Sequence, residues 1–342
     1  MVKRRDLLLA GTALAMSLGI PAIAQTPTIA QSKSTVEVTL VSYAVAKPVF
    51  AKIIPEFRKE WKARTGQEVI FKESYGASGA QSRAIIDGLQ ADILAQNLQS
   101  NVTQLVDRNL VSPNWDKRLP NKAIPATSVM VIVTRPGNPK NIKTWKDLTR
   151  NNVNVVLINP KTSGNARWGI LAGYGPILKA EGSGKANAYL QGLLRNTKTL
   201  VNNGREATDT FVRNRVGDAL ITFENEIIFT NDVIPKDFPY VAPSPNIQVD
   251  FPVTVVDSVV DKRGTRKVAE AFTQFLFTPK AQEIYAQLGY RPFNAQVRNK
   301  YAREFQSVPK VFTIADFGGW SQINRQLFAD GALFDVAQRN SK

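Results

Sequence analysis

The chain has 342 residues, 43% of them hydrophobic and 9% aromatic, which suits two globular domains with sizeable cores and is too apolar for a disordered chain. It contains neither Cys nor His, so disulfides, thiol chemistry and His-dependent catalytic triads are excluded and the commonest metal ligand is missing. The formal charge is +16, but Lys and Arg are scattered among 28 acidic residues and form no nucleic-acid footprint.

Residues 1–24 read as a cleaved export signal. Lys3, Arg4 and Arg5 precede a short apolar run, and Ala22-Ile23-Ala24 supplies small residues at the cleavage spacing. Arg4-Arg5-Asp6-Leu7-Leu8 also resembles a twin-arginine signal. Removing the segment lowers the charge by two and places the mature start at Gln25, outside the cytoplasm. No later stretch is long and apolar enough to span a membrane.

Residues 25–35 read as a flexible polar leader. From residue 36 strand and helix signals alternate, which predicts an α/β fold with largely parallel sheets. A strand is predicted over 36–43. Pro48 then opens a helix whose Phe50, Ile53, Ile54, Phe57 and Trp61 recur at helical spacing before Gly66 stops it. A strand at 69–72, a Ser/Gly loop, a helix near 80–88 and a strand at 91–96 follow. Residues 127–134 form an apolar strand. A second βα series has strands at 153–158 and 218–223 and helices beginning near Asn165 and after Asn203-Gly204-Arg205. Residues 252–256 mirror 127–134, and such paired extended segments suit a hinge. Lys262, Arg263, Arg266 and Lys267 sit at a turn before a helix in which Phe272 and Phe275 read as core. Thr278-Pro279 caps and opens a later helix.

Two loops share a chemistry. Ser74-Tyr75-Gly76-Ala77-Ser78-Gly79 and Lys161-Thr162-Ser163-Gly164-Asn165 each lie between a strand and a helix, and Gly204 marks a third such place. Free N–H groups at helix starts, Ser hydroxyls and close-approaching Gly backbone suit an oxyanion. Neither loop has the Gly-Lys-Ser/Thr ending of a nucleotide phosphate loop. Glu224 and Glu226 stand two apart, off one helix face, and no nucleophile accompanies them. Trp168 reads as core; Arg167 and Arg205 could touch an anion, with pairing to Glu or Asp the stronger reading.

These features occur in one ordered series. It comprises Val41-Ser42-Tyr43, Gly76-Ala77-Ser78-Gly79, residues 121–128, Pro160-Lys161-Thr162-Ser163-Gly164-Asn165-Ala166-Arg167-Trp168, residues 208–211, Glu224-Asn225-Glu226, Tyr290-Arg291-Pro292 and Phe317-Gly318-Gly319-Trp320. From about residue 36 to 334 the sequence resembles the periplasmic sulfate-binding proteins of the sulfate/thiosulfate ABC importer, a branch of the two-lobed solute-binding superfamily. The resemblance implies the type II periplasmic binding protein fold, two α/β domains joined by a hinge with a ligand cleft between them. Lobe 1 is expected over 36–126 plus 250–298, and lobe 2 over 127–249 plus 299–342.

It further implies a monomeric periplasmic protein that is not an enzyme and needs no cofactor or metal. Such a protein captures sulfate and delivers it to the importer's membrane subunits. Thiosulfate or another tetrahedral oxyanion such as molybdate is the alternative ligand, and an exported ester hydrolase the remote rival. Carried over by position, sulfate is held by backbone N–H groups of Ala44, Ser78, Gly164, Asn165 and Gly204 and by the Ser163 hydroxyl. Phe223 stands where the family pattern has a Trp whose indole N–H donates, and Ala44 where relatives often carry Asp. Phe cannot donate, so that contact is absent or replaced.

Overall fold

A computed structural model of the chain describes residues 35–228 and 234–341. The export signal and, apart from Thr35, the leader lie outside the described residues. The strands are β1 (Thr35–Tyr43), β2 (Glu68–Gly76), β3 (Ile93–Ala95), β4 (Ala126–Thr134), β5 (Val155–Ile158) and β6 (Thr197–Val201). After them come β7 (Ala219–Phe223), β8 (Tyr240–Val241), β9 (Asn246–Asp250), β10 (Val253–Val255), β11 (Arg291–Pro292) and β12 (Val311–Phe312).

They form two sheets. The first runs β10-β3-β1-β2, with β1, β2 and β3 parallel and β10 antiparallel to β3. The second runs β12-β9-β4-β7-β5-β6, with β8 and β11 also paired to β4. Parallel strands need crossover connections, and helices supply them on the sheet faces. The helix Lys47–Thr65 links β1 to β2. Pro48 sits in its first turn, and Gly66 ends it in the left-handed region at φ 73°, donating its N–H to the Lys62 carbonyl. Its buried stripe packs Phe57 edge-on against Phe272 at 5.1 Å and Phe71 at 6.0 Å. The segment Gly164–Arg195 is mostly helical, but Gly182 at φ 83° breaks it into two helices.

The structure departs from the sequence reading in three places. Residues 74–76 belong to β2, not to a loop, because they pair with Val41, Ser42 and Tyr43; only Ala77 separates strand from helix. Strands β6, β8, β9, β11 and β12 have no counterpart in the sequence reading. The start of β4 pairs with β9, Thr127 opposite Asp250, whereas residues 253–255 join the first sheet beside β3. Pro252 explains the switch. It has no N–H to continue the β9 ladder, and its carbonyl instead accepts from Gln96 N–H at 2.8 Å.

Three segments run together where the chain passes between the sheets. Phe251 donates to the Ala126 carbonyl and Phe293 to the Pro125 carbonyl, and β11 pairs with the start of β4. Arg291 locks this crossing. Its Nε and Nη2 donate to the two oxygens of the fully buried Glu224 at 2.7 and 3.0 Å, and Nη2 also donates to the Gln306 carbonyl. Removing one partner of a buried ion pair leaves the other charge uncompensated. Arg291→Ala is therefore expected to cost about 3–5 kcal/mol, read as a fall in the urea unfolding free energy.

Candidate functional site: a cavity ringed by helix starts

The parallel strands of the two sheets end at one place. A small cavity is lined by Tyr43 at the end of β1 with Ala44 and Val45 after it, Gly76 at the end of β2 with Ser78 after it, and Asn97 after β3. Ser163 and Asn165 after β5, with Asn203 and Gly204 after β6, complete its wall. Ligand sites of open α/β sheets lie outside the carboxyl ends of the strands, and this cavity obeys that rule.

Each wall segment is a helix start. Ala44 opens a short 3₁₀ turn, Ser78 is the first residue of the helix Ser78–Ile86, Gly164 of Gly164–Arg195 and Gly204 of Gly204–Val212. The first N–H groups of a helix have no partner within it, and the peptide dipoles leave partial positive charge there. At the last of these, Asn203 caps the helix by accepting from Glu206 N–H at 3.0 Å.

The loops from the two sheets touch directly. Gly164 N–H donates to Ser78 Oγ at 2.8 Å, Gly79 N–H to the Thr162 carbonyl at 3.1 Å, and Trp168 Nε1 to the Asn97 carbonyl at 2.5 Å. A Cβ on Gly164 would lie 2.3 Å from Asn97 Oδ1 and 2.5 Å from Leu98, so only glycine permits this approach. Thr162 also ties two wall segments together, its hydroxyl donating to the Asn202 carbonyl at 2.9 Å.

Of the residues singled out in the sequence, Ala44, Ser78, Ser163, Asn165 and Gly204 line the cavity, and Gly164 stands between two of them with its N–H engaged by Ser78. Phe223 is not among the lining residues. It is fully buried one layer back, edge-on to Tyr43 at 6.4 Å and to Phe251 at 5.4 Å. Sequence reasoning missed Asn97 and Asn203. Both follow strand ends, but β6 had not been foreseen and Asn97 carries no Ser/Gly signature. The side-chain oxygens of Asn97 and Asn165 are buried without a hydrogen-bond partner among the described residues.

No charged side chain lines the cavity, although Arg205, beside Gly204, keeps its buried Nη1 without a hydrogen-bond partner among the described residues. Arg205 faces Glu226 at 3.6 Å, and Arg167 donates to the Pro160 carbonyl and to Asn324 Oδ1. Burial pushes the Glu226 carboxyl up to about 6, against the opposing pull of Arg205 and the Thr208 hydroxyl. Burial likewise lowers the Arg167 guanidinium to about 10, helped by the charge of Arg83. The described residues contain no group of three acidic side chains able to hold a metal ion, and no helix long and apolar enough to cross a membrane. What remains at the cavity is a set of uncharged polar groups and helix N-termini.

The sequence model of the bacterial extracellular solute-binding protein family matches residues 38–291. The chain belongs to that family. It is 44% identical to a sulfate-binding protein of Synechococcus elongatus, over 90% of this chain and 88% of the relative. It is 39% identical to a thiosulfate-binding protein of Pseudomonas aeruginosa, covering 86% and 90% of the two chains. Among solved structures, the sulfate-binding protein SubI from Mycobacterium tuberculosis superposes with a TM-score of 0.78 at 36% identity, over 86% of this chain and 99% of SubI. The two-sheet α/β architecture is thus the periplasmic binding protein fold, and these relatives are named as binding proteins, not as enzymes.

Close approach at Gly164 makes a sign prediction. Gly164→Ala must push Asn97 and Leu98 aside and should destabilise by about 1–3 kcal/mol. Gly184→Ala, at a helical position with open space around it, should instead stabilise by roughly 0.4–1 kcal/mol. Urea unfolding of the two variants beside the parent chain reads both signs.

Proposed function

We propose that this chain captures sulfate in the cavity between its two sheets and delivers it to the membrane subunits of an ABC importer. The carrying observation is the convergence of helix starts from both sheets on one small cavity that no charged side chain lines. Such a site surrounds a dianion with N–H and O–H donors and supplies no net charge of its own. In this reading the backbone N–H groups of Ala44, Ser78, Asn165 and Gly204 and the Ser163 hydroxyl hold the anion. Gly164 joins them by exchanging its bond to Ser78 for one to the ligand. Phe223 acts from behind, holding the ring of Tyr43. The 44% identity to a sulfate-binding protein supports the same ligand.

The two sheets are the two lobes, and the crossing near residues 125, 251 and 292 is the hinge. Ligand binding then favours closure, and the closed form is what the importer recognises. The chain works as a periplasmic monomer without catalysis, which the absence of Cys and His favours. Thiosulfate is the second reading, favoured by the 39% identity to a thiosulfate-binding protein.

Donor-only recognition discriminates by protonation. Phosphate near neutral pH keeps a proton that backbone N–H groups cannot accept, and leaving it unpaired costs about 1–3 kcal/mol or more. Calorimetric titration should therefore give sulfate binding that is flat between about pH 6.5 and 8, above the titration of Glu226, and far weaker phosphate binding. Comparable affinities for the two anions, or turnover of chromogenic sulfate or phosphate esters, would reject the reading. The export signal is tested separately. N-terminal sequencing of periplasmic material should begin at Gln25, and a retained Met1 would show that the signal is not cleaved.

A further inference from the structure

Lys161 lies in the loop that carries Ser163 and Gly164, yet its side chain turns away from the cavity. Its ammonium reaches the carbonyls of Phe328 and Ala329, both at 3.0 Å, Asp335 Oδ2 at 2.9 Å and Asp330 Oδ1 at 3.2 Å. The first two acceptors close a π-helical turn, Asn324–Phe328, and Asp335 lies in the first turn of the helix Leu333–Arg339. Carbonyls at the end of a helical turn have no partner within it, and a cation there satisfies them. Asp335 is itself fixed, accepting from Gly331 N–H at 2.7 Å. Burial pushes its carboxyl up, but Lys161 and Gly331 outweigh burial and hold it below the usual range.

The same C-terminal segment grips the helix that follows the loop. Asn324 accepts from Arg167, the Arg167 guanidinium lies 5.6 Å from the Phe328 ring, and Trp320 packs edge-on to Trp168 at 4.5 Å. All these contacts fall on residues 161–168, the stretch that forms one wall of the cavity.

We infer that the C-terminal segment 313–339 is a strap that holds the Ser163–Gly164 wall in its binding geometry, with Lys161 as the positioning residue that fastens it. Lys161 does not touch the ligand. It keeps the N–H groups of the helix start aimed into the cavity, so that binding does not have to order them. This inference deepens the sulfate reading and rests on it for the ligand, but the ordering of the loop is a property of the chain alone.

The test compares the full chain with Lys161→Met, Lys161→Arg and Asp335→Asn by amide hydrogen exchange without ligand and by sulfate titration. Met keeps the apolar stem and loses the ammonium. In Lys161→Met the amides of residues 163–166 should exchange about tenfold faster while those of β5 stay unchanged, and sulfate affinity should fall about tenfold. Asp335→Asn should shift both readouts in the same direction by less, and Lys161→Arg should restore most of each. Leu148→Ala, a truncation of a fully buried side chain elsewhere in the core, controls for general destabilisation. Exchange at 163–166 within about twofold of the parent, or changes no larger than those of Leu148→Ala, would overturn the inference. Faster exchange in a chain that binds no sulfate would leave the strap standing and reject the sulfate reading.

Discussion

Everything at the site depends on how closely two loops from different sheets approach. Gly79 N–H bonds to the Thr162 carbonyl and Gly164 N–H to Ser78 Oγ, so the two helix starts meet backbone to backbone. A Cβ on Gly79 would lie 2.9 Å from the Thr162 carbonyl oxygen, and one on Gly164 closer still to Asn97. The cavity is small because these contacts are short. A wider separation would admit water and weaken every dipole aimed at the centre, since electrostatic interactions are screened most where solvent enters.

The second feature is the separation of charge from recognition. The sequence carries a large positive excess, yet no charged side chain lines the cavity. Arg205 is matched to a buried carboxylate, Arg167 to a carbonyl and an amide, and Lys161 to the C-terminal segment. A guanidinium pointed at the ligand would bind any anion tightly and with little regard to its protonation state. Helix N-termini and hydroxyls instead donate along fixed directions, which favours a fully deprotonated tetrahedral anion over a protonated one. The scattered surface charge remains available to concentrate anions near the protein.

Much of this was legible from local signals. Pro48 and Gly66 bracket their helix, Thr278 caps the helix at Pro279, and the apolar run of β4 marks a strand buried on both faces. The Ser/Gly stretches at 78–79 and 163–164 were recognised as anion-binding chemistry because those residue types favour helix starts and close approach. Where the reading failed, the signal was not local. Residues 74–76 look like a loop from composition but are held as strand by pairing with β1. Asn97 has an unremarkable neighbourhood and reaches the cavity only because β3 lies beside β1. Phe223 occupies a plausible place in the series, and its ring is nevertheless packed behind Tyr43.

The sequence by itself determined many of the helices and strands, where several helices begin, and that some of those beginnings carry small polar residues suited to an anion. Capping, glycine turns and hydrophobic periodicity act within a few residues, so they can be read in one dimension. Tertiary structure alone decided which helix starts share a cavity, which cations are withdrawn from it, and that the far C-terminal segment braces its wall. Those outcomes depend on strand order and on partners more than 100 residues apart, such as Lys161 and Asp335, which are separated by 174 positions. No local pattern encodes such pairings, because the free energy that selects them comes from burial and hydrogen bonding between elements that meet only in the folded chain.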